Sequence, residues 1–333
     1  MRRPPVEIPL GAMRFNSDSQ KLEYFNGDTW FQIHTFNPDL NGGARGVVGG
    51  GIGAETNVID YITITTAGNA TDFGDLTRTG ETTGFGSNTR AIWAGGYSTG
   101  TVPQDTIDYV TIAQTGNATD FGNLSTGRFS LAGLSNQTRG IIAFGGTPSQ
   151  VNIIEYITIA SAGNGQDFGD TLTTGANTRG GVASPTRGIF MGLNYAPANT
   201  NYNVIQYITI ATTGNALDFG DMSSARHNPY GISSGIRGLA GGGNNPSQTN
   251  AIDYITIATR GNSADFGDLT SAQRSWSGCG HKIRGIFAGG GDPGVNIINY
   301  VTMATTGDAI DFGDLTAARE SMGGTSNYHG GLG

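Results

Sequence analysis

The 333-residue sequence is poorest in cysteine and lysine: Cys279 stands alone, and Lys21 and Lys282 are the two lysines. One cysteine excludes an internal disulfide framework. Charged residues make up 13% of the chain and the formal net charge is −8, so the basic face that a phosphate backbone requires is missing and nucleic acid is not an expected partner. No run of 18 apolar residues occurs, and "MRRPPVEIPLGAMRF" has two arginines but no apolar run of signal-peptide length. Neither a Sec signal nor membrane insertion is expected. Between residues 43 and 333 no helical hydrophobic period is sustained.

Glycine is abundant instead: 56 residues, beside 36% hydrophobic residues. Glycine without a period reads as disorder, but here it falls at recurring places, which predicts a turn-rich all-β chain. The stretch "TDFGDL" at Thr71 contains Asp-Phe-Gly, the triplet that holds magnesium in protein kinases. The phosphate-covering loop, strand lysine and His-Arg-Asp triplet that phosphoryl transfer also needs are missing. The triplet recurs at Asp120, Asp167, Asp218, Asp265 and Asp311, whereas a catalytic metal ligand is needed once. Six regular copies are architecture.

Aligned on the triplet, the chain shows a longer unit, clearest in "RGIFAGGGDPGVNIINYVTMATTGDAIDFGDLTAAR" from Arg284. Its tyrosine falls at Tyr61, Tyr109, Tyr156, Tyr207, Tyr254 and Tyr300, and its opening arginine at Arg45, Arg90, Arg139, Arg187, Arg237 and Arg284. The tyrosine spacings, 46 to 51 residues, suit propeller blades. "RGIFAGG" is predicted as the inner strand, "NIINYVTMA" as the second, "IDFGDL" as the third, and the glycine-rich stretch after "TAAR" as a weaker fourth. The phenylalanine of each triplet is sized to fill the space between neighbouring blades. The flanking aspartates are expected to accept hydrogen bonds from turn N–H groups, and the repeated arginines to bond from blade to blade.

An apolar strand ending in Gly-Gly, a variable loop, a polar residue before Tyr, then an aromatic followed by leucine and arginine resembles the kelch repeat. Phe73, Phe121, Phe168, Phe219, Phe266 and Phe312 stand where kelch repeats usually carry tryptophan, and Met191-Gly192-Leu193 weakens one double glycine. The resemblance implies a six-bladed kelch-like β-propeller over residues 41–333, closed by pairing of its N- and C-terminal strands.

Residues 1–40 lie outside the repeat. "GAMRFNSDSQKLEYFNGDTWFQI" reads as two or three short strands with turns at Asn16-Ser17-Asp18 and Asn26-Gly27-Asp28, a hairpin too small to stand alone. It resembles a segment of bacteriophage virion proteins, and the glycine-rich repeats are similar to those of structural proteins from tailed phages. The resemblance implies a non-enzymatic virion protein, assembled in the host cytoplasm: a tail fibre, tail-tip or head-decoration subunit. Its first 40 residues dock on other tail or capsid proteins, or trimerise, through Phe15, Tyr24, Trp30 and Phe31, and its propeller meets a host-surface glycan or protein. The alternatives are a glycan-active propeller enzyme and a cellular kelch-like scaffold.

No cofactor, metal site or catalytic set is expected. Cys279 and His281 are too few for a metal site and read as a loop thiol and a solvated histidine, and His34, His227 and His329 show no ligand spacing. Binding is sought where the repeat fails, in the insertion "NYAPANTNYN", where Tyr195, Asn201 and Tyr202 supply rings and an amide suited to sugar or protein contact.

Overall fold

The computed structural model describes residues 8–16, 21–32, 44–53, 56–98, 102–195, 198 and 200–328. The chain divides into two compact units, Met1–Leu40 and Asn41–Gly333. Both are all-β, and among the described residues there is no α-helix.

In the smaller unit, Met13–Asn16, Lys21–Phe25 and Trp30–Gln32 form one antiparallel sheet in chain order. The Asn26 carboxamide closes the second turn by accepting from the N–H groups of Asp28 and Thr29 at 3.0 and 2.8 Å. The first turn lies outside the described residues.

The larger unit holds six antiparallel sheets of four or five strands, one per repeat, and a two-stranded ribbon of Tyr97–Ser98 and Val102–Pro103. Sheet two shows the pattern: Thr83–Gly86, Arg90–Ala94, Thr106–Thr111 and Thr119–Asn123, each paired with the next. The first strands of the others are Ala132–Ser135, Gly180–Ala183, Tyr230–Ser233, Ser277–Gly280 and, for sheet one, Gly323–Ser326. The "RGIFAGG" segment is therefore the second strand, and the glycine-rich stretch is the first. The physical reason is crowding: each first strand touches those of the sheets before and after it, and the last touches the first. A Cβ on Gly84 would lie 2.5 Å from the Gly324 nitrogen, so only glycine fits at the closest approaches of these strands.

Six apolar clusters lie between consecutive sheets, and the sixth joins sheet six to sheet one. Phe73 of sheet one, 2% exposed, packs with Trp93, Val110 and Ile112 of sheet two, and Phe312 packs likewise against Ile62 and Ile64. Burying each such ring contributes about 1.5–3 kcal/mol. Gly323–Ser326 pairs with Arg45–Gly49 near the other end of the chain. Its Asn327 N–H donates to the Arg45 carbonyl at 3.0 Å, as the Ser87 N–H does to Arg90 at 2.8 Å within a continuous turn. The two ends of the unit thus stand in for one tight turn.

Candidate functional site

The repeated residues lock each sheet to the next. Arg90 lies 4.7 Å over the Tyr109 ring, and its guanidinium donates to the Ile159 carbonyl of sheet three at 2.8 Å. The same bond recurs from Arg45, Arg139, Arg187, Arg237 and Arg284, the last reaching Ile64 of sheet one at 3.0 Å. At the triplet, Gly116 N–H donates to the Phe73 carbonyl and Ala118 N–H to the Asp75 carbonyl, at 2.8 and 2.7 Å, and Asp75 N–H donates to the Asn117 carboxamide at 3.1 Å. The backbone around the second aspartate makes these bonds; of the triplet aspartates, Asp120 does accept, but from the Gly122 N–H of its own strand at 3.1 Å and not from the neighbouring turn. Asn117, like Asn69, is consumed in this docking.

A second set alternates with sequence. The residue before each repeat tyrosine (Asp60, Asp108, Glu155, Gln206, Asp253, Asn299) is at most 2% exposed and receives the turn following the previous triplet. Where that turn carries a buried arginine, the receiver is acidic: Arg319 with Asp60 at 2.6 Å, Arg128 with Glu155, Arg226 with Asp253 at 3.5 Å. Where no arginine pairs with it, the receiver is Gln206 or Asn299, because an unpaired buried charge is costly; Asp108 is the exception, held by the Thr77 N–H and hydroxyl, its pKa raised by burial.

The residues just before the first strands form a mouth at one end of the sheets. Asn228 N–H donates to Asn177 O, Ser275 to Asn228, Ser321 to Ser275 and Thr82 to Ser321, at 2.7 to 3.3 Å. The Glu81 carboxylate continues the circuit, accepting from Ser130 N–H at 2.6 Å and pairing with Arg179 at 2.7 Å. Below this rim the Tyr230 hydroxyl reaches two sheets across, donating to Gly324 O at 3.2 Å and accepting from Gly324 N–H at 3.1 Å. A cavity of about 70 Å³ lies between the first strands.

Polar side chains gather at this mouth from several units. The Asn244 carbonyl only accepts, so it takes the Asn201 Nδ2 at 3.3 Å and leaves Asn201 Oδ1 to accept from Asn194 Nδ2 and His227 Nδ1, both at 2.9 Å. His227 therefore carries its proton on Nδ1. Burial, then the nearby Arg274 charge, lowers its pKa, so the ring is neutral with Nε2 open as an acceptor. Glu320 is 9% exposed; its backbone bridges to Ile52, and its carboxylate has no hydrogen bond or ion pair among the described residues. Burial raises its pKa first, against the opposing pull of Arg274 and Arg179, while Asp292 and Glu81 add to the rise. Asn228 Oδ1, Arg179 Nε and Arg274 Nε are buried without partners, though the terminal nitrogens of the two arginines hold Glu81 and Asp292.

No protein-family model matches the chain. Nor does any curated protein. The mouth is therefore described by its own chemistry. Among the described residues no group of three or more His, Cys, Asp or Glu is placed to hold a metal, and no helix is long and apolar enough to cross a membrane.

Of the residues singled out in the insertion, Asn201 belongs to the His227 network. Tyr202 is half-buried against the cluster between sheets three and four, and Tyr195 is half-buried at the end of the hairpin. The insertion is a prolongation of strands Arg187–Tyr195 and Thr200–Thr209 and not an open loop; Ala196, Pro197 and Asn199 lie outside the described residues. Cys279 and His281 are 3% and 5% exposed, a strand thiol and a ring 4.7 Å from Tyr328, which overturns the loop-thiol and solvated-histidine expectation. His34 and His329 lie outside the described residues. In the small unit, the register puts Met13, Phe15, Leu22, Tyr24 and Phe31 on one face, 40 to 66% exposed. Trp30 is on the opposite face, 4.2 Å under Arg14 and 5.4 Å from Phe25.

Proposed function

We propose that the chain is a non-enzymatic virion protein of a tailed phage: a tail fibre, tail-tip or head-decoration subunit. In this reading the six sheets are the blades of one closed, kelch-like propeller displayed for binding, and the first 40 residues attach it to neighbouring tail or capsid proteins. The cycle of inter-sheet clusters supports the propeller. The attachment rests on one observation, the bare apolar face of Met13, Phe15, Leu22, Tyr24 and Phe31 on a sheet too small to be stable unaided. Such a face is buried in the assembled particle, against another virion protein or, in a trimer, against copies of itself.

Deleting residues 1–40 should leave a folded, soluble remainder that no longer incorporates into particles. Loss of folding would refute the attachment role. A propeller-class glycan enzyme is the second reading, favoured by the neutral His227 ring with Nε2 left as an acceptor; turnover of a glycan that vanishes in His227→Ala would select it.

A further inference from the structure

We infer that the mouth bounded by His227, Asn228, Arg179, Arg274 and Glu320 binds a saccharide unit bearing no acidic group. The inference deepens the displayed-head reading by naming what the head meets, and it draws on that reading for the source of the sugar, a host surface.

The first argument is unmet bonding. Asn228 is 8% exposed and Arg179 6%, and each, like Arg274, keeps a buried polar atom with no partner among the described residues, while the Glu320 carboxylate makes no hydrogen bond or ion pair there. An unsatisfied buried polar atom costs about 1–3 kcal/mol, so folded proteins rarely keep several together without an occupant. The second argument is the tally of roles. His227 Nε2, Asn228 Oδ1 and the Glu320 carboxylate accept, and the two arginine Nε–H groups donate. Hydroxyl groups do both, and a ring bearing several of them answers such a mixed set.

Charge narrows the class. Arg179 and Arg274 are held by Glu81 and Asp292, so Glu320 is the unbalanced charge. An acidic sugar or phosphate meets net negative charge, whereas a neutral sugar loses nothing and an amine-bearing one gains. The cavity below, about 70 Å³, has room for a few waters and not for a sugar ring, so the ligand sits on the rim with Tyr230 as the floor. The sequence marks the place indirectly: Asn194 and Asn201, which orient His227, belong to the insertion that departs from the repeat.

The experiment applies the full chain to immobilised neutral, amine-bearing and acidic oligosaccharides and titrates the positives calorimetrically. Neutral or amine-bearing sugars should bind and acidic ones should not. His227→Ala and Glu320→Gln should each weaken binding at least about tenfold, or 1.4 kcal/mol. Glu320→Gln should at the same time raise thermal stability, a combination that a packing role would not produce. Binding of acidic sugars alone, binding that survives both substitutions, or no retention at millimolar sugar would overturn the proposal. Failure here with particle incorporation intact removes the ligand assignment only, while sugar binding without incorporation removes the attachment reading only.

Discussion

Arg128 and Glu155 show how much a single buried charge depends on its partner. Both are almost fully enclosed, so removing one leaves the other without water or counter-ion. Arg128→Gln alone should cost about 3–5 kcal/mol in urea unfolding. Adding Glu155→Gln should restore most of it, since sheet four already runs on Gln206 at the equivalent place. Recovery that stays below half the loss would show that the guanidinium acts through packing. Glu320 presents the opposite case, a carboxyl without a partner. Its folded-state pKa lies above the ordinary value of 4.5, so the folded protein holds the proton more tightly than the unfolded chain does. Stability therefore falls as pH rises through the window between those two values. Glu320→Gln should be more stable than the parent above that window and equal to it below, as urea midpoints at about pH 3.5 and pH 8 would report. The charge alternation is present in the sequence, an acid standing wherever the turn carries Arg128, Arg226 or Arg319, but it shows only when one position is compared across units, and Asp108 departs from it. His227 and Glu320 could not be read that way: they stand at one repeated place, which carries Phe129 and Ala176 in other units, so its residue type has no pattern, and their neighbours come from several sheets.

At the scale of elements, the strands built on alternating β-branched residues were legible, and Val58–Thr63 and its equivalents fall where the pattern predicts. The first strands were not. "TGFG", "GGTS" and "SGCG" have no β-forming pattern; they are strands by their pairing, with glycine at the places where neighbouring first strands approach most closely. The order of strands was accordingly reversed at that edge. Cys279 tests the placement of one such strand: burial pushes its thiol up to about 12, so the folded protein should resist alkylation at about pH 8 and react fully in denaturant. Rapid modification of the native protein would mean that Ser277–Gly280 is exposed and the strand assignment wrong. In the small unit the strands were legible but their faces were not. Alternation separates Trp30 from Phe15, Tyr24 and Phe31, and this follows from the period of two once the register is known.

At the scale of the molecule, the six-fold unit was legible from the spacing of tyrosines, and the pairing of distant strands followed from the half-unit left at each end. The turn split between Asn327 and Arg45 implies that the break in the chain is a matter of convenience. A permuted chain, with Tyr328 joined to Ala44 by a short linker and new ends opened at Asn88, should fold to the same circular dichroism spectrum and unfold within about 1 kcal/mol of the parent. Deleting residues 320–333 instead should give an aggregating product on gel filtration, since it bares the long edge of Arg45–Gly49. The same split turn also decides how the unit bears a pull. Ala44 lies at the end of the first strands away from the mouth, and the strand beside it is held on both sides, by Gly323–Ser326 and by Val58–Thr63. A load arriving through the N-terminal segment runs along a strand gripped by two ladders, so it must shear both at once; no free edge is offered for it to peel.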